Sequence, residues 1–441
     1  MKNVTTDLKT SNLALSASFP WLFAAYTFCS MNPFYIWGYY QYAFASLMFS
    51  CLAVYIVGKG SRLSWIFLLC FLLLLVLNSL QGMSILGAIV FSLSVSFLLL
   101  QSELTIKKIY DRFLLLYTCL LIPGILIWIC HWLSGDNDFL RFENIPSDII
   151  PNQLKVALGM GYAKYPFMVV LDYTLQDPIY RFMGPFDEPG VLGTFSVLIL
   201  VVEKFNLKSK RNVVVLIAGL ISFSLAFYVL TVAYLLLVCL RNKPSRIYVS
   251  ALLLGSFWFA SSSEIISEKI LNRLQIDNGI SGNNRVQLEL LSAISNWSNG
   301  TVETLLFGLP RPMVTDGSSS FFSTLVYTGI FGVFLYVMII AIFILRLRRH
   351  VTFDFIVFIA FFLAAGYQRP DNLKPEFMLL FLSAGVVSST SWSCCSSSSG
   401  RAERGRISVC GGLRVLLVPQ KRVKYRQIDT GENGIVHPVR G

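Results

Sequence analysis

Apolar runs of near-membrane length return about a dozen times along this chain, and no other feature narrows its folding options so much. Crossing a hydrocarbon core of about 30 Å takes roughly 20 apolar residues in a helix. The runs at 63–78, 85–100 and 113–133 come close to that length. Hydrocarbon offers no partner for backbone N–H and C=O groups, so such runs must pair their backbones internally, as helices. The expected fold class is therefore all-α, a polytopic membrane protein of about 12 transmembrane helices. Spans are expected at 13–31, 34–58, 63–79, 83–101, 113–133, 189–203, 213–225, 227–240, 247–262, 320–345, 351–367 and 376–390. Pro20 and scattered serines interrupt the first, which reads as an anchor because no small-residue cleavage site follows it. Two large loops, about 134–187 and 263–319, interrupt the pattern.

Charge sets the orientation. The formal charge of +12 raises nucleic acid as a partner, but most basic residues outside the tail flank apolar runs on alternate sides. They form the clusters Lys59/Arg62, Lys107/Lys108/Arg112, Lys204/Lys208/Lys210/Arg211, Arg241/Lys243/Arg246 and Arg346/Arg348/Arg349. The links between them, 30–32 and 78–82, hold no Lys or Arg. This is the positive-inside pattern; it puts both termini in the cytoplasm and both large loops outside, and it leaves no role for nucleic acid. None of the nine cysteines falls in the two loops, so a disulfide framework is not expected there, and no Cys/His spacing fits zinc. Asp136-Asn-Asp138 reads as a turn rather than a metal site, and neither metal nor cofactor is expected.

The stretch 213–240 is too long for one upright helix and short for two full ones. With basic clusters at both ends it reads as two short helices meeting inside the protein, a wall for a cavity. Helical spacing at 264–274 and 285–294, with aromatics at Tyr162, Tyr165, Phe167 and Tyr173, predicts short amphipathic helices and packed aromatics on the outer face. Residues 1–390 form the transmembrane unit, and 391–441, rich in serine, glycine and basic residues, read as a disordered cytoplasmic tail.

The most distinctive segment is Arg181-Phe-Met-Gly184-Pro185-Phe-Asp187-Glu188-Pro189-Gly190-Val-Leu-Gly193. Pro189 at a helix start behind two carboxylates is sensible on dipole grounds alone, and that reading makes Asp187 and Glu188 plain caps. The segment also resembles its counterpart in bacterial O-antigen and capsular polysaccharide polymerases of the Wzy type, relatives of the O-antigen ligases. The resemblance extends to Asn284-Arg285, to Leu306-Phe-Gly308 with Asp316-Gly-Ser-Ser, and to Tyr327-x-Gly329-x-x-Gly332. It covers most of the chain up to about residue 387.

The resemblance implies a glycosyltransferase of the bacterial inner membrane. Such an enzyme moves a growing glycan from undecaprenyl diphosphate onto another lipid-linked repeat unit at the periplasmic face. It implies undecaprenyl-diphosphate-linked glycans as partners, with a chain-length regulator in the membrane as a further one. Arg181 and Arg285 are the expected holders of the diphosphate, because a guanidinium fork matches phosphate oxygens. Glu188 is the expected carboxylate base for the acceptor hydroxyl. Asp187, Arg311, Asp316, Arg369 and Asp371 are expected substrate-binding residues. For each arginine the competing reading is an ion pair or a head-group anchor. The ligases carry a histidine ahead of the tenth span, where this chain has Thr315-Asp-Gly-Ser-Ser-Ser-Phe, which favours polymerase over ligase. His131, His350 and His437 are expected to play no part. A transporter or flippase of lipid-linked oligosaccharide is the rival reading. It is ranked lower because the spans hold few ionisable groups and no internal repeat is visible.

Overall fold

Each expected apolar stretch that falls among the described residues contains a helix, although 34–58 opens with a 3-10 turn and becomes α-helical only from Tyr40. The computed structural model describes 18–59, 65–134, 143–150, 159, 161–172, 180–241, 288–310, 321–368 and 373–396; the expected span 247–262 and the tail beyond 396 lie outside them. Helix α1 covers 18–30. It is followed by α2 (Tyr40–Lys59), α3 (Trp65–Leu80), α4 (Ile85–Leu98) and α5 (Glu103–Ser134). After the first large loop come α6 (Pro189–Val202), α7 (Lys210–Ile221) and α8 (Leu225–Arg241). The remaining helices are α9 (Leu288–Ser298), α10 (Val302–Phe307), α11 (Phe321–Arg346), α12 (Phe353–Gln368) and α13 (Pro375–Ser396), the last running on into the serine-rich stretch.

Local chemistry explains the boundaries. Between α3 and α4, Gly82 adopts φ 74°. Its N–H donates to Ser79 O and that of Met83 to Asn78 O, a Schellman stop. Ser84 then caps α4 by accepting from Gly87 N at 3.2 Å. The tight turn lays α3 and α4 side by side. At the opposite end, Lys204 after α6 pairs with Asp354 of α12 at 2.8 Å.

Two helices, Glu103–Leu133 and Phe322–Arg346, are long and apolar enough to cross a membrane, and 44% of the apolar window of each is buried. The rest of each window is partly or fully exposed. Ile330, Phe334 and Val337 on α11, and Ile66, Leu69 and Leu72 on α3, are exposed apolar side chains of this kind.

In the first large loop, where packed aromatics were expected, Tyr162 and Tyr165 are buried, and the described part also holds a three-stranded antiparallel sheet that was not anticipated, β1 (Glu143–Asn144), β2 (Tyr162–Lys164) and β3 (Val169–Leu171), in that order. The register pairs Glu143 with Lys164 and Tyr162 with Leu171. Tyr162 and Val169 are β-formers, and with Phe34, Trp37, Ile145 and Met183 they build a small core of their own, separate from the helical one. In the second loop α9 overlaps the helix expected at 285–294, while 264–274 lies outside the described residues.

Helix α10 was not anticipated. Thr301 caps it by accepting from Thr304 N at 3.3 Å, and it ends at Gly308 with φ 87°. Helix α11 breaks at Gly329, φ 65°. The two glycines meet across the interface: a Cβ on Gly308 would stand 2.4 Å from the Tyr327 carbonyl carbon, and one on Gly329 would stand 2.2 Å from Leu306 O. Leu309 N donates to Val326 O at 2.8 Å. Two motifs separated in sequence thus form one backbone crossing.

Candidate functional site

Residues 180–188 run without helical structure along α5 and enter α6. Trp128 Nε1 donates to Tyr180 O at 2.9 Å. A Cβ on Gly124 would stand 3.3 Å from the Phe182 ring, and one on Gly184 would stand 3.2 Å from the Leu121 side chain. Gly184 has φ 58°, which glycine adopts without the strain a side chain brings, and its carbonyl accepts from Val169 N at 3.0 Å. At a rise of roughly 1.5 Å per residue, Gly124 lies about 15 Å below the α5 end at Ser134, close to the middle of the apolar stretch 113–133.

Helix α6 begins at the same level. An aromatic chain fixes it there: Phe186 lies 6.1 Å from Tyr117, Tyr117 lies 5.8 Å from Phe195, and Phe113 lies 5.7 Å from Phe195. At 14 residues α6 is about 21 Å long, so it accompanies only the first half of α5. The second half is lined by the loop segment and the β2–β3 turn, where Phe167 O would lie 3.1 Å from a Cβ on Gly124.

The expected pair of short helices between 213 and 240 is present as α7 and α8, with a turn at 222–224 in which Phe223 takes φ 45°. The tip of this hairpin meets the loop segment. Phe182 N donates to Ile221 O at 3.0 Å, and Arg181 Nε donates to Ser222 O at 3.2 Å. Arg181 is half-buried and within electrostatic reach of Tyr228 on α8.

Asp187 and Glu188 follow at the mouth of α6, both half-buried. The backbone carbonyl of Asp187 accepts from Tyr162 OH at 3.1 Å, which ties the sheet to this point. Glu188 occupies the N-cap position with extended backbone; its carboxylate makes no capping hydrogen bond, and its carbonyl accepts from Val191 N at 3.1 Å. The hydrogen-bonded form of the cap is absent, while the carboxylate stays at the helix N-terminus where the dipole favours it. The other expected site residues, Arg285, Arg311, Asp316, Arg369 and Asp371, lie outside the described residues.

One acidic residue was missed. Glu376, 4% exposed in the first turn of α13, accepts from Ser30 Oγ at 2.6 Å at the end of α1. Its neighbour Phe377 lies 5.5 Å from Phe195, and Phe28 lies 6.0 Å from Phe186, so α1, α6 and α13 all end around the same aromatic chain. The nearest signal is Pro375-Glu376 opening an apolar run, an acid and a proline at a helix start as at Glu188-Pro189 but in reverse order. His131 packs edge-on against Tyr180 and Tyr165, at 5.0 and 6.1 Å. Burial, and secondarily the neighbouring Tyr165, pushes the Tyr180 phenol up, so that ring stays neutral and serves packing. Among the described residues no group of three or more His, Cys, Asp or Glu is arranged to hold a metal ion.

The arrangement brings a fixed guanidinium, two adjacent carboxylates and the starts of two helices, α6 and α8, to one level. Such a combination can hold an anion and accept a proton beside it. No protein-family profile, curated protein or solved structure matches this chain.

Proposed function

We propose that the chain is a polytopic glycosyltransferase of the bacterial inner membrane, with both termini cytoplasmic, that polymerises lipid-linked oligosaccharide repeat units at the periplasmic face. One observation carries this reading: Arg181 is held at the hairpin tip, and the carboxylates of Asp187 and Glu188 follow directly at the mouth of α6. The donor is a glycan on undecaprenyl diphosphate. The acceptor hydroxyl oxygen attacks the anomeric carbon, the bond from that carbon to the diphosphate oxygen breaks, and the hydroxyl proton passes to the Glu188 carboxylate. The electron pair leaves with the diphosphate, whose charge Arg181 meets. Arg285, Arg311 and Arg369 are proposed to complete the phosphate contacts, with Asp187, Asp316 and Asp371 binding sugar hydroxyls.

The membrane part of the proposal is supported by the outward apolar faces of α3 and α11 and by the placement of the basic clusters. Taken across a bilayer, Arg181 would lie near mid-depth, where an ionisable side chain is costly and is kept for a function. A second reading, a transporter of lipid-linked oligosaccharide, draws on a specific feature too. Short helices that meet at mid-depth, and the break of α11 at Gly329, are the broken-helix architecture of many carriers.

The deciding experiment incubates purified protein in nanodiscs with lipid-linked repeat units and reads glycan length on a gel. A ladder lost in Arg181→Ala and Glu188→Gln proteins that still fold supports polymerisation. No ladder from folded protein, together with lipid changing leaflet in sealed vesicles, replaces the enzyme with the carrier.

A further inference from the structure

The α7–α8 hairpin is closed and docked by two missing side chains. A Cβ on Gly219 would stand 2.1 Å from the Phe227 ring, so glycine there lets α8 fold back against α7. Tyr228 OH donates to Leu220 O at 2.6 Å and locks the same turn. A Cβ on Gly193 would stand 2.3 Å from Ser224 Cβ, 2.6 Å from Ser224 Oγ and 3.0 Å from Ser222 Oγ. Glycine at 193 thus lets the tip sit directly on α6, one turn past Glu188. Ser222 and Ser224 are fully buried there, and Ser222 Oγ donates to Gly219 O at 2.6 Å.

That tip is also what holds the loop segment, through the carbonyls of Ile221 and Ser222. Neither carbonyl belongs to the segment being held, so the orientation of Arg181 depends on where the hairpin docks. We propose that the tip at 222–224, seated on Gly193, is a positioning element that aims the Arg181 guanidinium at the diphosphate of the lipid-linked donor. The proposal rests on the glycosyl-transfer reading for the identity of the donor, though not for the aiming itself. The Ser222 carbonyl accepts from Nε and so fixes the direction of that N–H bond. A guanidinium held this way turns its terminal nitrogens in one direction, and planar recognition of phosphate needs that. Moving the tip would leave the charge in place but aimed wrongly.

The contact can be moved across the interface. Gly193→Ala puts a Cβ where Ser224 stands, and Ser224→Gly removes the atoms it meets; the remaining 3.0 Å approach to Ser222 Oγ is relieved by a small shift of a hydroxyl. Both single variants and the double variant are made in the full chain in nanodiscs. Three quantities are read: binding of inorganic pyrophosphate by calorimetry, ladder formation resolved into kcat and KM, and thermal unfolding. Gly193→Ala should weaken pyrophosphate by roughly tenfold or more, the scale of one charge-assisted contact, and raise the donor KM. Ser224→Gly, a modest helix-cap change, serves as the reference that shows the effect of altering the tip alone. The double variant should return to within about threefold of the parent, less than the loss of one such contact. Unchanged pyrophosphate affinity in folded Gly193→Ala, or a folded double variant that stays impaired, overturns the proposal. If Gly193→Ala does not accumulate, Ser224→Val adds bulk at the same contact from the hairpin side and carries the same expectations. Because calorimetry needs no turnover, a parent protein that binds pyrophosphate but makes no ladder sinks the polymerase reading alone.

Discussion

Lysine in place of Arg181 would keep the charge but lose Nε, the atom that reaches the Ser222 carbonyl. Arg181→Lys should therefore retain part of the anion affinity while ladder formation falls by roughly 10²-fold, the scale on which one preorganised donor to a developing anion acts. A comparison of pyrophosphate binding with turnover in the same preparation checks this. Glu376 poses the opposite case, since it is buried with a hydroxyl partner. Glu376→Ala should lower stability by about 1–3 kcal/mol, the usual cost of breaking a buried polar pair, and Glu376→Gln should cost much less; thermal unfolding separates the two. Sequence made Arg181, Asp187 and Glu188 legible because a charged run against prolines and glycines stands out in an apolar chain. It hid Glu376 because burial depends on which helix ends converge, and Phe28, Phe195 and Phe377 are ordinary core residues until they meet.

Helices were readable one at a time, since apolar length is a local property, and the α7–α8 hairpin was readable from its flanking basic clusters. The sheet in the first large loop was not. Its strands are two or three residues each, too short for an alternating pattern to register, and they are held by cross-pairing rather than by propensity. Nor was the reason for Gly308 and Gly329 visible, because each is required by the backbone of the other's segment. Gly308→Ala or Gly329→Ala forces a Cβ onto main-chain atoms in a left-handed conformation. Either should cost about 3 kcal/mol or more, beyond ordinary overpacking, read as a large fall in unfolding temperature or as failure to accumulate. Gly82, with the same sign of φ but open space around it, should lose only the roughly 1 kcal/mol of the left-handed penalty on substitution by alanine.

At the scale of the molecule, an apolar surface that faces outward needs a partner, and on α11 it runs the length of the helix. If that partner is lipid, Phe334→Arg should penalise insertion by about 2.5–3.5 kcal/mol in a translocon-based insertion assay; on a water-facing helix the same change would be near neutral. Helix α6 adds a mechanical consequence. Twelve of its 14 residues are buried, and where it stops, beside the upper half of α5, the loop segment and the β2–β3 turn continue the packing. Each turn of a helix is bonded to the next, whereas the loop segment is pinned at only a few points, so local opening costs less there than in α6. The amide hydrogens of 180–187 should therefore exchange with deuterium well before those of 189–202 in the same preparation.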